Sequence, residues 1–195
     1  MQKGNYLTSI LRSNKTVFSS KDIALLWHDP GTLASNVRLH YYVKKEDLYR
    51  IRKGLYAKSR NYNRLELATR IFTPSYVSFE TVLAREGLIF QYYEGFFVAS
   101  YLTREISIDG QIYSYRKIKG GVLTDPIGIE HVSETSIATQ ERAFLDTLYL
   151  NADYQFDSLR SLSWERVFEI LPIYNNQRMA KKVNSLYKRM HDQIS

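Results

Sequence analysis

The chain has 195 residues, a net charge of +7, no cysteine, and 44% hydrophobic and 14% aromatic residues. This composition can support the packed core of one or two domains, and the absence of cysteine excludes disulfides, thiolate catalysis, zinc ribbons and iron–sulfur ligation. No segment approaches about 18 uninterrupted apolar residues and the N-terminus lacks a signal-peptide pattern, so we expect a soluble, cytoplasmic protein.

The positive charge is concentrated in the first third of the chain. Residues 1–62 hold 12 Lys and Arg against 4 Asp and Glu, a net charge of +8, whereas residues 63–195 hold 15 against 16. Residues 172–195, with 5 against 1, form a second and smaller basic segment. This asymmetry is typical of a polyanion-binding module attached to a near-neutral domain. A solvated basic surface is the alternative explanation for the charge taken alone.

Two short helices are predicted before residue 29. The first ends near Ser13, and its apolar residues at helical spacing are Leu7, Ile10 and Leu11. The second begins after Ser19, which together with Asp22 resembles a capping box. Its apolar stripe consists of Ile23, Leu26 and Trp27. The Asp-Pro-Gly sequence of residues 29–31 then breaks the helix.

A third helix is predicted over residues 32–45, beginning near Thr32, and two registers compete for it. The more coherent buried stripe consists of Leu39, Tyr42 and Val43. A competing stripe is formed by Leu33 and Val37. In the preferred register, the side chains that point outward are Ala34, Arg38, Tyr41 and Lys45, with His40 and Lys44 at the flanks and Asn36 near the N-terminal end.

Residues 48–58, with the sequence LYRIRKGLYAK, are predicted to form a β-hairpin. Arg50 and Arg52 alternate with apolar residues, so in a strand they point to the same face. Gly54 supplies the positive φ of a three-residue loop over residues 52–54, after which the chain returns antiparallel. A cationic hairpin tip therefore follows a cationic helix.

The order of these elements predicts a winged helix-turn-helix over residues 1–60, and its charge predicts binding to double-stranded DNA. Arginine and asparagine can form bidentate hydrogen bonds with base edges, while lysine mainly holds phosphates. The third helix would read the bases, and the hairpin would contact phosphates or the minor groove. The candidate DNA-binding residues are Asn36, Arg38, His40, Tyr41, Lys44, Lys45, Arg50, Arg52, Lys53, Lys58 and Arg60. The alternative is that this unit mediates protein contacts.

Residues 61–195 are predicted to form an α+β domain with a mostly antiparallel sheet and flanking helices. A polar linker over residues 59–63 precedes it, and its first helix covers residues 64–72. Ser78 is a favourable N-cap for the next helix, and Gly87 is placed to end that helix as its C′ residue.

Strands and further helices follow in the same domain. A strand is predicted at Phe96–Ser100, and a hairpin over residues 106–117 is indicated by the turn dipeptide Asp109-Gly110. Thr139 and Ser163 are positioned to cap two helices. The apolar residues of the last helix are Met179, Val183, Leu186, Tyr187 and Met190.

Four motifs resemble the antitoxin component of abortive-infection toxin–antitoxin systems of the AbiE type. They are RIRKGLYAK, LATRIFTPSYVSFETVLAREGLI, FFVASYLTREI and SIATQERAFLDTLYL. The resemblance covers nearly the whole chain, and residues 49–88 are its most specific part. The chain departs from the family pattern in being shorter than many members and in having Glu46 where the family often has glycine, between the third helix and the wing.

The resemblance implies a bacterial repressor that binds inverted repeats upstream of its own operon and counteracts a co-encoded nucleotidyltransferase-like toxin. In such type IV pairs the antitoxin need not form a stable complex with the toxin, so direct contact is not implied. If a contact surface exists, it is expected within residues 63–171, which hold 10 basic and 15 acidic residues. Tyr76, Ser78 and Glu80 are candidates for that surface, although we favour a structural role, with Tyr76 in the core and Ser78 as a helix cap.

An alternative function is a protein-interaction module that neutralises a partner enzyme without sequence-specific DNA binding. Catalysis is not expected, because the chain has no Walker loop, HExxH motif, nucleophile elbow or GxGxxG. Glu141 and Asp146 lie about 140° apart around one predicted helix, so they do not face each other. No metal or cofactor is expected, because the histidines lack metal-ligand spacing; they are His28, His40, His131 and His191.

Overall fold

The computed structural model describes residues 6–29 and 33–192, which form a mixed α+β fold. The chain divides into two compact units, residues 1–71 and residues 72–195. Thr32, where the third helix was expected to begin, and the side chain of His191 lie outside the described part. Within that part, no helix is both long enough and apolar enough to cross a membrane.

The first unit combines helices with short strands. The helices are α1 (Tyr6–Arg12), α2 (Ser20–Leu26), α3 (Leu33–Lys44) and α4 (Arg64–Ile71). The strands are β1 (Val17–Ser19), β2 (Tyr49–Arg52) and β3 (Leu55–Ala57). The strands pair antiparallel in the order β1-β3-β2. The strand β1 has no counterpart in the sequence prediction, which assigned no element between the end of the first helix near Ser13 and the cap of the second at Ser19.

The core of the first unit is a cluster of buried apolar side chains. Its members are Ile10, Phe18, Ile23, Trp27, Leu39 and Leu48. Tyr42 and Val43 pack against this cluster, whereas Leu33 and Val37 are exposed. The face of α3 that carries Leu39 is therefore the buried one, which confirms the preferred register of that helix.

The predicted capping box is present at the start of α2. The Asp22 backbone N–H donates to Ser19 Oγ at 3.1 Å, and the Ser19 backbone N–H donates to Asp22 Oδ2 at 2.8 Å. Lys15 and Arg70 form ion pairs with the same carboxylate at 2.9 and 3.2 Å. Burial disfavours the charged carboxylate, but the hydrogen bonds from Ser19 and Lys15 outweigh it and lower the pKa of Asp22.

A tight corner connects α3 to β2. The backbone N–H groups of Asp47 and Leu48 both donate to the carbonyl of Tyr42, at 3.0 and 3.3 Å. Glu46 in this corner has a φ of 63°, in the left-handed region that favours glycine. A residue with a side chain therefore occupies a backbone conformation at this corner that glycine adopts at lower cost.

The helix α4 belongs to the first unit, so the boundary lies after Ile71 rather than after residue 60. The backbone N–H and the hydroxyl of Thr16 donate to Glu66 Oε2 at 2.8 and 2.6 Å. Arg70 pairs with Glu66 of its own helix and with Asp22 of α2. These bonds join α4 to elements more than forty residues earlier, which the polar composition of residues 59–63 does not reveal.

The second unit consists of a larger sheet and helices. Its helices are α5 (Phe79–Arg85), α6 (Gly120–Leu123), α7 (Gln140–Leu150), α8 (Trp164–Ile170) and α9 (Gln177–Asp192), with a 3-10 helix at Leu171–Tyr174. Its strands are β4 (Ser75–Val77), β5 (Phe96–Ser100), β6 (Arg104–Ile108), β7 (Gln111–Lys117), β8 (Ile129–Val132) and β9 (Thr135–Ala138).

The sheet of the second unit is mixed, with strand order β6-β7-β5-β4-β9-β8. Three of its strand pairs are antiparallel and two, β5–β7 and β4–β9, are parallel, so the sheet is mostly antiparallel as predicted and the parallel pairs are the feature that the sequence did not indicate. The strand β6 lies at the sheet edge, which leaves β7 beside β5. The hairpin between β6 and β7 is confirmed: Asp109 and Gly110 have φ values of 50° and 77°, as a type I′ turn requires.

The predicted helix caps of the second unit are present in part. Thr139 Oγ1 accepts from the Arg142 N–H at 3.3 Å, and Ser163 Oγ accepts from the Arg166 N–H at 3.4 Å. Ser78 occupies the N-cap position of α5, but its side chain makes no capping hydrogen bond. Its hydroxyl binds a buried carboxylate instead, as described below.

Candidate nucleic-acid interface

Polar and basic side chains form one exposed line along α3. Asn36, His40 and Lys44 are exposed and follow one another at intervals of four residues. Because an α-helix repeats every 3.6 residues, this spacing places them along one line of the helix. Lys45 is exposed just after the end of the helix. Four of the predicted DNA-binding residues are therefore accessible to a partner.

The outermost line of α3 is apolar, which the sequence prediction did not anticipate. Leu33 is 81% exposed, Val37 63% and Tyr41 49%. At about 100° per residue, Val37 lies about 160° around the helix from the buried Leu39. The signal was present in the sequence, because burying Leu39 necessarily turns Val37 towards solvent.

Arg38 lies at the side of α3 and is engaged within the first unit. Its guanidinium lies 3.8 Å from the ring centroid of Tyr6 and 5.5 Å from that of Trp27. Arg38 Nη1 is also 3.4 Å from Asp29 Oδ2, in an ion pair. These contacts hold the side chain against the unit, so the structure gives Arg38 a structural role beside the predicted role in DNA binding.

Tyr41 and Lys45 form a pair on the solvent side of α3. Lys45 Nζ lies 4.9 Å from the centroid of the Tyr41 ring. A hydrogen bond with Tyr41 raises the pKa of Lys45. Lys45 therefore remains positively charged at neutral pH, in a position that water and a partner can reach.

The hairpin β2–β3 presents arginine side chains to solvent. Arg50 and Arg52 are exposed, while Tyr49 and Ile51 are half-buried on the opposite side. A β-bulge leaves Ile51 without a pairing partner in β3 and Arg52 opposite Leu55.

The tip of this hairpin is shorter than predicted. Because Arg52 pairs with Leu55, the turn contains only Lys53 and Gly54, instead of a three-residue loop that includes Arg52. Gly54 has a φ of 83°, as expected for the turn glycine. Lys53 is exposed at the tip.

The last two predicted DNA-binding residues have partners in the first unit. Lys58 Nζ donates to the backbone carbonyl of Ser13, at the end of α1. The guanidinium of Arg60 lies 5.0 Å from the ring centroid of Tyr49, although Arg60 as a whole is exposed. Lys58 therefore links the hairpin to α1, whereas Arg60 extends the accessible positive charge.

In the second unit, the residues that were candidates for a contact surface, Tyr76 and Ser78 among them, are buried. Arg142 and Asp146 are fully buried and form an ion pair of 3.3 Å one turn apart on α7. Asp146 also accepts hydrogen bonds from the hydroxyls of Tyr76, Ser78 and Tyr174, at 3.0, 2.7 and 2.6 Å. This network gives Tyr76 and Ser78 a structural role, as favoured from the sequence.

The electrostatics of this network keep its hydroxyl donors protonated. Burial raises the pKa of Tyr76 and of Tyr174 well above the usual value for tyrosine. Burial also raises the pKa of Asp146, although Arg142 and the hydroxyl donors oppose that rise. The arrangement is closed and internally satisfied, which suits a structural core.

Other charged groups of the second unit are also used within the fold. Glu80 is buried and forms a 2.8 Å ion pair with Arg116. Glu141 accepts a hydrogen bond from the Ser163 backbone N–H at 3.2 Å. Across residues 6–29 and 33–192, no three histidine or acidic side chains are grouped closely enough to hold a metal ion. His28, His40 and His131 are all exposed.

Comparison with known proteins gives a similarity of fold. No protein-family profile matches the chain, and no curated protein matches it significantly in sequence. Among solved structures, the chain is similar to the crystal structure of the RV2827C protein from Mycobacterium tuberculosis, with a TM-score of 0.52 and 13% sequence identity. The match covers 92% of this chain and 75% of that chain. At this identity the likeness concerns the fold alone.

Proposed function

We propose that the first unit is a winged helix-turn-helix that binds double-stranded operator DNA, and that the protein represses its own operon. The observation that carries the proposal is the set of exposed cations on α3, on the hairpin and just beyond them. These residues are Lys44, Lys45, Arg50, Arg52, Lys53 and Arg60. Clustered, exposed lysine and arginine side chains attract the phosphate backbone of DNA and release its counterions.

The two cationic elements suit different parts of a DNA duplex. A helix fits the major groove, where Asn36 and His40 can address base edges while Lys44 and Lys45 hold phosphates. The hairpin tip, with Arg50, Arg52 and Lys53, suits phosphates or the minor groove beside it. In this proposal α3 supplies sequence readout and the hairpin supplies most of the electrostatic affinity.

We also propose that the protein is an antitoxin that counteracts a co-encoded nucleotidyltransferase-like toxin. This part of the proposal rests on the resemblance to the AbiE-type family, and it includes no claim of direct contact with the toxin. In a growth assay, co-expression of the full chain with the neighbouring gene should restore growth that the neighbouring gene alone arrests. Continued arrest in the presence of the folded protein would contradict the antitoxin role.

The DNA-binding proposal is tested by salt-dependent binding to the promoter fragment of the protein's own operon. The substitutions Arg50→Gln, Arg52→Gln and Lys53→Gln together remove three candidate phosphate contacts. Since each contact contributes about 0.9 to the slope of log affinity against log salt, the slope should become less steep by about 2.7. At physiological salt the affinity should fall about 100-fold.

The matched control removes the same number of arginine and lysine charges from the second unit. Arg104, Lys117 and Arg166 are exposed there, and their replacement by glutamine should leave the salt slope unchanged. An affinity that does not change with salt concentration would contradict a DNA interface on the first unit. An equal loss of affinity in both triple variants would contradict it as well. Circular dichroism at each salt concentration verifies that all three proteins remain folded.

A further inference from the structure

The outermost ridge of α3, defined here as Leu33, Val37 and Tyr41, carries apolar surface where a DNA-reading helix faces its ligand. These residues are 81%, 63% and 49% exposed. Successive members are four residues apart, so the ridge shifts by only about 40° at each step and stays opposite the buried Leu39. The helix thus presents a continuous apolar line to solvent.

A parallel polar line borders this ridge. Asn36, His40 and Lys44 are exposed and share the same four-residue interval. Asn36 and His40 each precede a member of the ridge by one residue, about 100° around the helix, and Lys44 follows Tyr41 by three residues, about 60° around the helix. The accessible surface of α3 therefore places apolar groups and hydrogen-bonding groups side by side, within a segment whose net charge is positive.

The ligand that fits this surface must be anionic and must also offer small apolar groups. In the major groove, the only apolar group on a base edge is the C5-methyl of thymine, and its partner adenine offers N6 and N7 to asparagine. A second copy of this chain fits less well, because a two-fold contact between the ridges of two α3 helices would join two basic helices, and α3 has no acidic residue that could pair with Lys44 of the other copy.

We infer that Leu33 and Val37 contact thymine methyl groups in the major groove and that Asn36 reads a neighbouring adenine, so the operator half-site contains A·T pairs beneath the first turns of α3. This inference rests on the proposed DNA binding and assigns its sequence preference. Apolar contact specifies the methyl group, hydrogen bonding specifies adenine, and the flanking lysines hold the phosphates.

The test replaces single thymines by deoxyuridine, which removes only the C5-methyl group and keeps every hydrogen-bonding group. A tightly bound duplex is first selected from a randomised DNA pool with the full-length protein. Burial of one methyl group corresponds to about a fourfold change in affinity. We expect about fourfold weaker binding at one or more thymines of each half-site and no change at the others.

A variant then assigns a sensitive thymine to a residue. With Val37→Ala, at least one of the sensitive positions should no longer distinguish thymine from uracil, because the side chain that contacts the methyl group is shortened. The matched control is Val132→Ala, which removes the same atoms from a valine that is 55% exposed in the second unit. That variant should retain the full uracil pattern.

The outcomes separate this inference from the proposed function. If selection yields no duplex that binds in a salt-dependent way, the DNA-binding proposal fails and the inference fails with it. If a selected duplex binds but no uracil replacement weakens it, the function stands and the thymine contact is refuted. Val37→Ala leaving the uracil pattern intact while abolishing a dimer in sedimentation velocity would assign the ridge to self-association, and would also overturn the inference.

Discussion

One buried arginine of the second unit and two exposed arginines of the first show two opposite uses of the same side chain. In the second unit, Arg142 is fully buried and donates to Asp146, to the hydroxyl of Tyr76 at 3.0 Å and to the backbone carbonyl of Val122. In the first unit, Arg50 and Arg52 are exposed on a hairpin. A buried cation is tolerated only when its charge and its donors are satisfied, whereas an exposed cation remains available to a partner.

This difference explains why net charge alone is a poor guide to function. The near-neutral second unit still holds buried charge, such as the Glu80–Arg116 and Arg142–Asp146 pairs, but these charges neutralise one another within the fold. The excess positive charge of the first unit includes side chains on α3 and on the hairpin that solvent reaches. What identifies a candidate interface is thus the accessibility of each cation together with the contacts it makes.

The largest effect is expected from Arg142→Met, which leaves the buried Asp146 without its cation. Removing one partner of a buried ion pair costs about 3–5 kcal/mol of unfolding free energy. The two tryptophans, Trp27 and Trp164, lie one in each unit, so a Trp27→Phe background reports on the second unit alone. Urea unfolding followed by Trp164 fluorescence measures the loss.

The control for this variant is Arg166→Met, at an exposed arginine of the same unit. This substitution should change the free energy of unfolding by no more than about 0.5 kcal/mol. If Arg142→Met yields no folded protein, Arg142→Lys keeps a cation with fewer donors and should show a smaller but measurable loss. Equal stability of the Arg142 and Arg166 variants would show that the fold does not depend on the buried pair.

A smaller effect is expected from Asp22→Asn, which removes the carboxylate of the capping box and its ion pairs with Lys15 and Arg70. We expect the free energy of unfolding of the first unit to fall by about 1 kcal/mol at pH 7. Urea unfolding in a Trp164→Phe background, monitored by Trp27 fluorescence, measures this change. The control, Asp153→Asn, changes a carboxylate that is 87% exposed and should have little effect.

The pH dependence of the Asp22 effect has a defined sign. The pKa of Asp22 is lower in the folded protein than its ordinary value, so the carboxylate stabilises the fold above the unfolded pKa of about 3.9. That stabilisation is lost as the pH falls through the lower, folded pKa. The difference between wild type and Asp22→Asn should therefore be constant near neutral pH and shrink below about pH 4. A difference that grows in acid would contradict the assigned interactions.

Local signals predicted several features of both units. The Asp109-Gly110 turn, the Ser19 capping box and the Thr139 cap depend on residues close in sequence, and all three are present. The register of α3 was also predictable, because Leu39 belongs to the more coherent stripe and is buried. The Arg142–Asp146 pair was overlooked, although its i,i+4 spacing is a recognised signal for an ion pair on a helix.

Features that depend on distant residues were not predictable from local pattern. The link between Lys58 and the carbonyl of Ser13 joins segments 45 residues apart. The attachment of α4 to the first unit requires Glu66 to meet Thr16, at a separation of 50 residues. The sequence indicates which side chains are basic, but only the packed structure shows which of them have partners.

The smallest expected effect distinguishes two arginines of the first unit that the sequence assigned to the same role. Arg38 lies over the Tyr6 ring and pairs with Asp29, whereas Arg52 is exposed on the hairpin. Arg38→Gln should lower the free energy of unfolding of the first unit by about 0.5 kcal/mol, because it removes a partly buried cation–π contact and an ion pair. Arg52→Gln should leave stability unchanged and make the salt slope of DNA binding less steep by about 0.9. Trp27 fluorescence and the promoter-binding assay measure the two quantities on the same proteins. If Arg38→Gln instead changes only the salt slope, then Arg38 leaves its contacts with Tyr6 and Asp29 when it binds a DNA phosphate. In that case the exposure of an arginine in the unbound protein does not show whether its role is structural or in binding.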